Sequence, residues 1–381
     1  MSHLADLIKE LCPDGVEYKP LGEVAELKRG QSITKKSITP GDIPVIAGGR
    51  KPAYFTSSAN HAGMTIVVAG SGAYAGFVSY WDQPIFVSDA FSVKVNEEIL
   101  VPRFTYHWMC GKQKELYSLK SGGGVPHVYP KDVAKFKCPI PPLEVQCEIV
   151  RILDRFTTLE AELEAELEAR RAQYEYYRNQ LLSYDSLASR GPVKWVKLGD
   201  IGTVKMCKRI HKKETADKGD VPFYKISSFG GAPTAFISRN QFMEYKSKYP
   251  YPKVGDLLIS ASGTIGRVVR FNGEDAYFQD SNIVWLDHDE SIVSNRFLFY
   301  LYKVINWETE GGTIKRLYNA RILKQEIPVP SFCEQQRVAD ILDRFDALVN
   351  DISSGLPAEI AARRAQYEYY RDRLLSFPEK K

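Results

Sequence analysis

The stretch ARRAQYEYYR occurs twice, at residues 169–178 and 362–371. Widened to 169–184 and 362–377, the copies agree at 13 of 16 positions, 193 residues apart in a chain of 381. Self-similarity at half the chain length sets the architecture before any single element is assigned. Upstream, Ile152-Leu153-Asp154-Arg155-Phe156 returns as Ile341-Leu342-Asp343-Arg344-Phe345. A proline-rich stop and an amphipathic start precede each: CPIPPLEVQCEIV (138–150) and IPVPSFCEQQRVAD (327–340). Weaker likeness continues outward. VEYKPLGEVAELKRG (16–30) parallels VKWVKLGDIGTVKMC (193–207), and GMTIVVAGSGAYAGFVSYW (63–81) parallels GDLLISASGTIGRVVRF (255–271). GGGVPHVYPKDVAKFKCPIPP (122–142) parallels GGTIKRLYNARILKQEIPVP (311–330). The chain is a tandem duplication: globular unit, helix, globular unit, helix.

Residues 144–184 contain neither proline nor glycine. Apolar residues fall at Ile149, Ile152, Phe156, Leu159, Leu163, Leu167, Tyr174, Tyr177 and Leu181, mostly three or four apart, which is one face of a helix. At about 1.5 Å per residue such a helix is roughly 60 Å long. Its apolar stripe needs a partner, and the simplest partner is the second copy. That copy keeps the stripe at Val338, Ile341, Phe345, Leu348, Ile352, Ile360, Tyr367, Tyr370 and Leu374. Ser353-Ser354-Gly355-Leu356-Pro357 should interrupt it. The expected packing positions are Phe156, Leu159, Leu163, Leu167, Tyr174 and Tyr177 against Phe345, Leu348, Tyr367 and Tyr370. Glu162, Glu164, Glu166 and Glu168 belong to the solvated face. The pair reads as a spacer between the globular units; generic coiled-coil dimerisation is the plainer alternative.

Composition is that of a folded protein, 44% hydrophobic, 26% charged and 12% aromatic, which excludes disordered and collagen-like chains. At this length two to three domains are expected. No run of 18 apolar residues exists, so no transmembrane helix is expected, and the acidic N-terminal stretch does not read as a signal peptide. Six cysteines (Cys12, Cys110, Cys138, Cys147, Cys207 and Cys333) are scattered without a CxxC pair, the pattern of reduced thiols in a cytoplasmic protein.

The net charge of +4 hides an alternation. Residues 17–143 hold 15 Lys and Arg against 10 Asp and Glu, and residues 194–330 hold 21 against 15. The helical segments are acidic: 5 against 10 over 144–185, and 6 against 8 over 331–377. Two basic units on acidic spacers suit two anion-binding surfaces, although each excess is small.

Both globular units carry short β-branched and aromatic runs bounded by turn residues. Strands are predicted at 43–47, 64–69, 76–81, 84–88 and 91–95, and at 221–226, 256–261, 265–271, 276–279 and 282–286. Helices are predicted at 100–119 and 292–306, so the class is α+β. Cations cluster early in each unit: Lys28, Arg29, Lys35, Lys36, Arg50 and Lys51, then Lys205, Lys208, Arg209, Lys212 and Lys213 beside His211. Arg267, Lys315 and Arg316 lie further on, and Tyr54, Tyr74, Tyr224 and Phe229 interleave. Such residues can neutralise phosphates and read base edges; ordinary solvated loops look the same.

Several look-alikes fail. Gly70-Ser71-Gly72-Ala73-Tyr74-Ala75-Gly76 follows an apolar strand as a nucleotide loop would, yet another strand follows where the pyrophosphate needs a helix N-terminus. A hairpin turn explains it and its counterpart Ser262-Gly263-Thr264-Ile265-Gly266. Asp14, Glu17 and Lys19 mimic a metal-nuclease set without a further acid in support. The six histidines lack metal-ligand spacing, and no GxxxxGK[ST], [DNS]PP[YF] or GxSxG motif occurs. No catalytic constellation and no metal site is expected.

The duplicated ILDRF…RRAQYEYYR helices, the CPIPPLE and IPVPSFCEQQR entries, the GGTIKRL loop and the opening LIKELCPDGVEYKPLGEV resemble the specificity subunit of type I restriction-modification systems, over nearly the whole chain. The resemblance implies two target recognition domains, each reading one half of a split double-stranded DNA target, separated by two long antiparallel coiled-coil helices in a pseudo-twofold tandem duplication. It implies no catalysis in this chain. Two modification subunits would bring S-adenosylmethionine, and restriction subunits would bring ATP and Mg²⁺, in the cytoplasm of a bacterium or archaeon, with no membrane involved. The expected division is an N-terminal helix (1–16), recognition domain 1 (17–143), a central helix (144–185), a linker (186–193), recognition domain 2 (194–330), a C-terminal helix (331–377, interrupted near 353–357) and a tail (378–381). A specificity module of another methyltransferase–nuclease complex, or a coiled-coil scaffold whose basic units bind proteins, are the alternatives.

Overall fold

The architecture comes from a computed structural model, which describes residues 2–33, 38–311, 315–351 and 353–380. Two units emerge, Met1–Ala165 with Ala358–Lys381, and Glu166–Pro357. The first unit therefore takes in the end of the chain.

In unit 1, α1 (Ser2–Leu11) leads to β1 (Glu17–Pro20), the short α2 (Leu21–Val24) and β2 (Ala25–Arg29). Next come β3 (Ile43–Ile46), β4 (Tyr54–Thr56), β5 (Met64–Ala69), β6 (Val78–Asp82), β7 (Phe86–Val87) and β8 (Ala90–Val95). Then follow α3 (Pro102–Gly111), α4 (Gln113–Ser118), the single turn α5 (Pro130–Val133), β9 (Lys137–Ile140) and α6 (Leu143–Leu181). One antiparallel sheet has the order β2-β8-β5-β6. A second, β4-β3-β7, joins β3 antiparallel to β4 and parallel to β7, and β1 pairs with β9.

Unit 2 repeats this plan. It contains α7 (Tyr184–Ala188), β10 (Lys194–Lys197), α8 (Leu198–Ile201), β11 (Gly202–Lys205), β12 (Val221–Tyr224) and β13 (Phe236–Ile237). After α9 (Arg239–Lys248) come β14 (Leu257–Ser260), β15 (Val268–Arg270), β16 (Tyr277–Phe278) and β17 (Ile283–His288). The remaining elements are α10 (Asn295–Tyr302), α11 (Asn319–Lys324), β18 (Glu326–Val329) and α12 (Phe332–Asn350), while α13 (Leu356–Leu374) runs on into unit 1. The sheets are β11-β17-β14-β15 and β13-β12-β16, with β12 and β16 parallel, and β10 pairs with β18. Each predicted strand has its counterpart. The predicted helix 100–119 divides into α3 and α4, because Lys112 leaves helical geometry between them.

Helical segments complete each core. In unit 1, Val145, Ile149 and Leu153 of α6 and Leu374, Leu375 and Phe377 join the strands' inner faces in one cluster. In unit 2 Tyr174, Val338, Leu342 and Val349 do the same. Within unit 1, α6 and α13 run antiparallel: Phe156 stacks on Tyr370 at 5.3 Å, and further along α6 Glu160 and Glu164 hold Arg364. In unit 2 the later part of α6 faces α12, with Tyr177 6.1 Å from Phe345 and the Tyr174 hydroxyl donating to Asp346 at 2.9 Å. Leu159, Leu163, Leu167 and Tyr367 are half-buried, as the stripe requires. Leu348 is not: it is 40% exposed, because the buried face of this helix runs through Gln335, Val338, Ala339, Leu342 and Val349, the last two of them about two turns apart, and Leu348 lies beside that face. Ile352 lies outside the described residues.

The interruption has a clear cause. Asp351 accepts from the Ser353 amide at 2.7 Å and from the hydroxyls of Ser353 and Ser354. Those bonds hold its carboxyl down at about 2. Gly355 then passes so close to the helix that a Cβ there would meet the Ala347 carbonyl oxygen at 2.5 Å. Pro357 follows in the first turn of α13, where its missing N–H costs nothing.

Two expected boundaries shift. The central helix ends at Leu181, and Ser183 caps the separate α7, whose Leu187 is buried; the expected linker is thus partly helical and packed. The expected tail is also tied down: Val16 donates to the Pro378 carbonyl and Lys380 to the Val16 carbonyl, each at 2.9 Å.

Candidate nucleic-acid interface

The hairpin joining β5 to β6 carries the glycine-rich turn 70–76, and the hairpin joining β14 to β15 carries 261–267, as the sequence suggested. Both turns are stitched to a distant loop. Gly72 donates to the Pro126 carbonyl and Val128 to the Gly70 carbonyl, and His127 bridges both Ser71 and Ser121. In unit 2, Leu317 donates to the Ala261 carbonyl, and Arg316 bridges Ser262 and Glu310. His127 with Val128, and Arg316 with Leu317, therefore play one structural part on loops that differ in sequence.

Beside this junction in unit 1 opens a cleft of about 600 Å³, lined among others by Arg29, Ser32, Tyr54, Asp89, His127 and Tyr129. The Arg29 guanidinium lies 5.4 Å from the Tyr129 ring centre, and His127 stacks on the same ring at 6.1 Å. Arg50 covers Tyr74 at 4.8 Å and Phe77 at 5.5 Å. Stacking on rings orients a guanidinium while leaving its N–H fork able to meet another acceptor. The Ser71 hydroxyl donates to the Asp89 carboxylate, which fixes an acceptor on the wall of the cleft.

The candidates sort by what holds them. Arg29, Arg50 and Tyr74 are brought together around the two loops. Lys208 rests 5.2 Å from the Tyr249 ring. Arg209 pairs with Asp280 through Nε at 2.9 Å, and Arg267 donates to the Phe229 carbonyl at 2.6 Å. Lys205 is half-buried at the end of β11. Lys212 and Lys213 sit exposed on a single 3-10 turn, whose start is held by Glu214 accepting from the His211 amide at 2.7 Å. Lys28, Lys51, Lys315 and Arg316 are exposed and form no ion pair among the described residues. Lys35 and Lys36 lie outside the described residues.

Sequence reasoning missed Asp89, His127, Tyr129, and Lys120, whose ammonium donates to the Ala73 carbonyl at 2.7 Å. Aligning the 122–142 repeat with 311–330 would have placed His127 opposite Arg316. Among the described residues no group of His, Cys, Asp and Glu could hold a metal ion. Of the look-alike set, Lys19 pairs with Glu17 at 3.3 Å on β1. Among the described residues no helix is long and apolar enough to cross a membrane.

A sequence model of the type I restriction modification DNA specificity domain matches this chain twice, at residues 13–169 and 192–362. A putative type I restriction enzyme specificity subunit of Haemophilus influenzae is 43% identical over 95% of this chain and 96% of its own length. A type I restriction enzyme specificity subunit of Escherichia coli is 30% identical, with 99% of this chain and 98% of that one covered. Among solved structures, the S subunit of a type I restriction-modification system from M. genitalium superposes with a TM-score of 0.58 at 19% identity, covering 95% of this chain and 96% of that one. A structure from a study of type I R-M complex assembly gives 0.56 at 18%, covering 95% and 98%.

Proposed function

The chain belongs to the type I restriction-modification specificity family, and on that premise we propose that it reads a two-part DNA target for a complex whose other subunits do the chemistry. The observation that carries this reading is the repetition of one scaffold. Each unit joins a glycine-bearing hairpin to a distant loop that leads to a tyrosine, Tyr129 in unit 1 and Tyr318 in unit 2. Two such surfaces in one chain match a target with two half-sites. Residues 17–143 and 194–330 are the proposed recognition domains. The cations Lys28, Arg50, Lys51, Lys208, Lys212, Lys213 and Lys315 would neutralise phosphates, a contact that positions without specifying sequence.

The pseudo-repeated helices give two identical modification subunits equivalent places to dock, and restriction subunits would join them. S-adenosylmethionine, ATP and Mg²⁺ would be carried by those partners. The test is selection of bound duplexes from a random library, using the chain together with its modification subunit. A two-part motif with a fixed unspecified gap is expected, and binding should weaken steeply as salt rises. Absence of any enriched motif would instead favour a scaffold that binds proteins.

The length of α6 is the proposed determinant of that gap. Deleting four residues near Glu162–Glu168 and four at the matching place in the C-terminal helix shortens each by about 6 Å. The preferred gap should fall by about one to two base pairs. An unchanged gap would rule out the spacer role.

A further inference from the structure

Equivalent positions in the two units can be fixed by backbone hydrogen bonds alone. Gly70 donates to the Asp89 carbonyl and Ala261 to the Asn282 carbonyl, at the same step beyond β5 and β14. Asp89 therefore corresponds to Asn282. The registers of β2 on β8 and β11 on β17 then place Lys28 with Lys205 and Arg29 with Met206. The bridges from Ser71 and Ser262 place His127 with Arg316.

Around this junction some residues keep their chemistry and some do not. The serine that buttresses position 89 or 282 is kept, with Ser262 donating to the Asn282 side-chain oxygen at 2.7 Å as Ser71 does to Asp89. Lys28 and Lys205 agree, as do Tyr129 and Tyr318. Three positions differ in hydrogen-bonding character. Unit 1 offers a guanidinium, a carboxylate and an imidazole, where unit 2 offers a thioether, an amide and a guanidinium. Arg29, Asp89 and His127 line one open cleft, while Arg316 is exposed. The supporting serine and tyrosine are thus the same in both units, while the three positions held on them carry different donors and acceptors.

We propose that Arg29, Asp89 and His127 are the base-reading residues of unit 1, and that Met206, Asn282 and Arg316 are those of unit 2, held on a common serine–tyrosine scaffold. This inference rests on the DNA-reading function proposed above. The chemistry predicts what each half recognises. A carboxylate accepts and cannot donate, so Asp89 takes an exocyclic amino group such as cytosine N4, and Arg29 donates in a fork to guanine O6 and N7. Unit 1 should therefore demand a G·C pair. In unit 2 the Asn282 oxygen is engaged by Ser262, which leaves its amide N–H groups to meet a base acceptor, and Arg316 takes over the guanine contact.

The duplex selection decides it, run with the full chain and its modification subunit for wild type, Asp89→Asn and Arg29→Met. Each variant should lose discrimination at one position of one half-site by about tenfold to a hundredfold. The other half-site and the gap should be unchanged, and they serve as the internal control for folding. A wild-type motif that neither variant alters would overturn this assignment and leave the function standing. Uniform weakening of both variants with a shallower salt slope would also overturn it, by making these residues phosphate contacts. If the wild type selects no motif, the functional reading falls first and this inference with it.

Discussion

The two units share every sheet order yet solve the same packing problem with different polar chemistry. In unit 1, His107 of α3 is fully buried between α6 and α13, with Nδ1 2.8 Å from the Tyr367 hydroxyl and Nε2 2.7 Å from Asp154. Arg103 joins Asp154 at 2.7 Å. In unit 2 the matching α10 residue is Tyr300, which donates to Asp343 at 2.5 Å, with Arg296 on the same carboxylate. Tyr174, the counterpart of Tyr367, turns instead to Asp346, which also holds Lys303 at 3.2 Å. The identical ARRAQYEYYR segments thus meet different partners. The half-buried carboxylate at the ILDRF step is satisfied in both units, by an imidazole in one and a phenol in the other.

Burial pushes the His107 imidazole below its ordinary value, against the pull of Asp154. At neutral pH the ring is then uncharged, with Nε2–H donating to Asp154 and Nδ1 accepting from Tyr367. Burial pushes Asp154 upward, and the bonds from His107 and Arg103 outweigh that, so its net shift is downward.

This comparison can be broken at several depths. The largest effect is expected from Phe104→Ala and Phe297→Ala, matching residues that are both fully buried. Each should cost about 3–5 kcal/mol and loosen only its own unit, as read by local hydrogen exchange. Loss of protection in both units at once would contradict their separate cores. Next come Gln146 and Gln335, buried at the start of α6 and α12. Gln146 bonds the Ile99 and Pro141 carbonyls and the Val101 amide; Gln335 bonds Ile292, Pro330 and Ser294 in the same way. Leucine at either site should cost about 1–3 kcal/mol through stranded backbone groups, by equal amounts in the two units. Unequal costs in denaturant melts would show that the polar frames are not equivalent.

The smallest effect is in pH. A histidine whose folded value is depressed takes up its proton more readily when unfolded. Its contribution is intact above about pH 6.5 and is lost as pH falls below that. Asp154, also depressed, adds to the loss at lower pH. Unit 1 should therefore show lower protection, measured relative to the intrinsic exchange rate at each pH, around α3 and α13 at about pH 5.5 than at about pH 7.5, while α10 and α12 change less. His107→Tyr should remove the difference.

Much of the fold was legible because its signals were local. The repeat gave the two-unit plan, and runs such as MTIVVA and LLIS declared themselves as buried strands. What escaped were short pieces such as KWVK in β10 and EYKP in β1, half of whose residues are charged and which are held by a partner more than a hundred residues away. The site was less legible than the fold. Counting nearby cations grouped Arg29 with Lys35 and Lys36, whereas in space Arg29 belongs with Tyr129, and Arg209 and Arg267 are taken up by an acid and a carbonyl. Composition cannot tell a guanidinium offered to a partner from one already engaged.

The route of the chain through unit 1 has a consequence in time. Residues 1–165 emerge first, yet their core lacks Leu374, Leu375 and Phe377, and Val16 lacks its backbone partner, until the last few residues appear. Glu166–Pro357, all of unit 2, is synthesised in between. At about 5–20 residues per second that interval lasts roughly 10–40 seconds. During synthesis the domain begun first is the one closed last, and its apolar seam stays open while its neighbour is built.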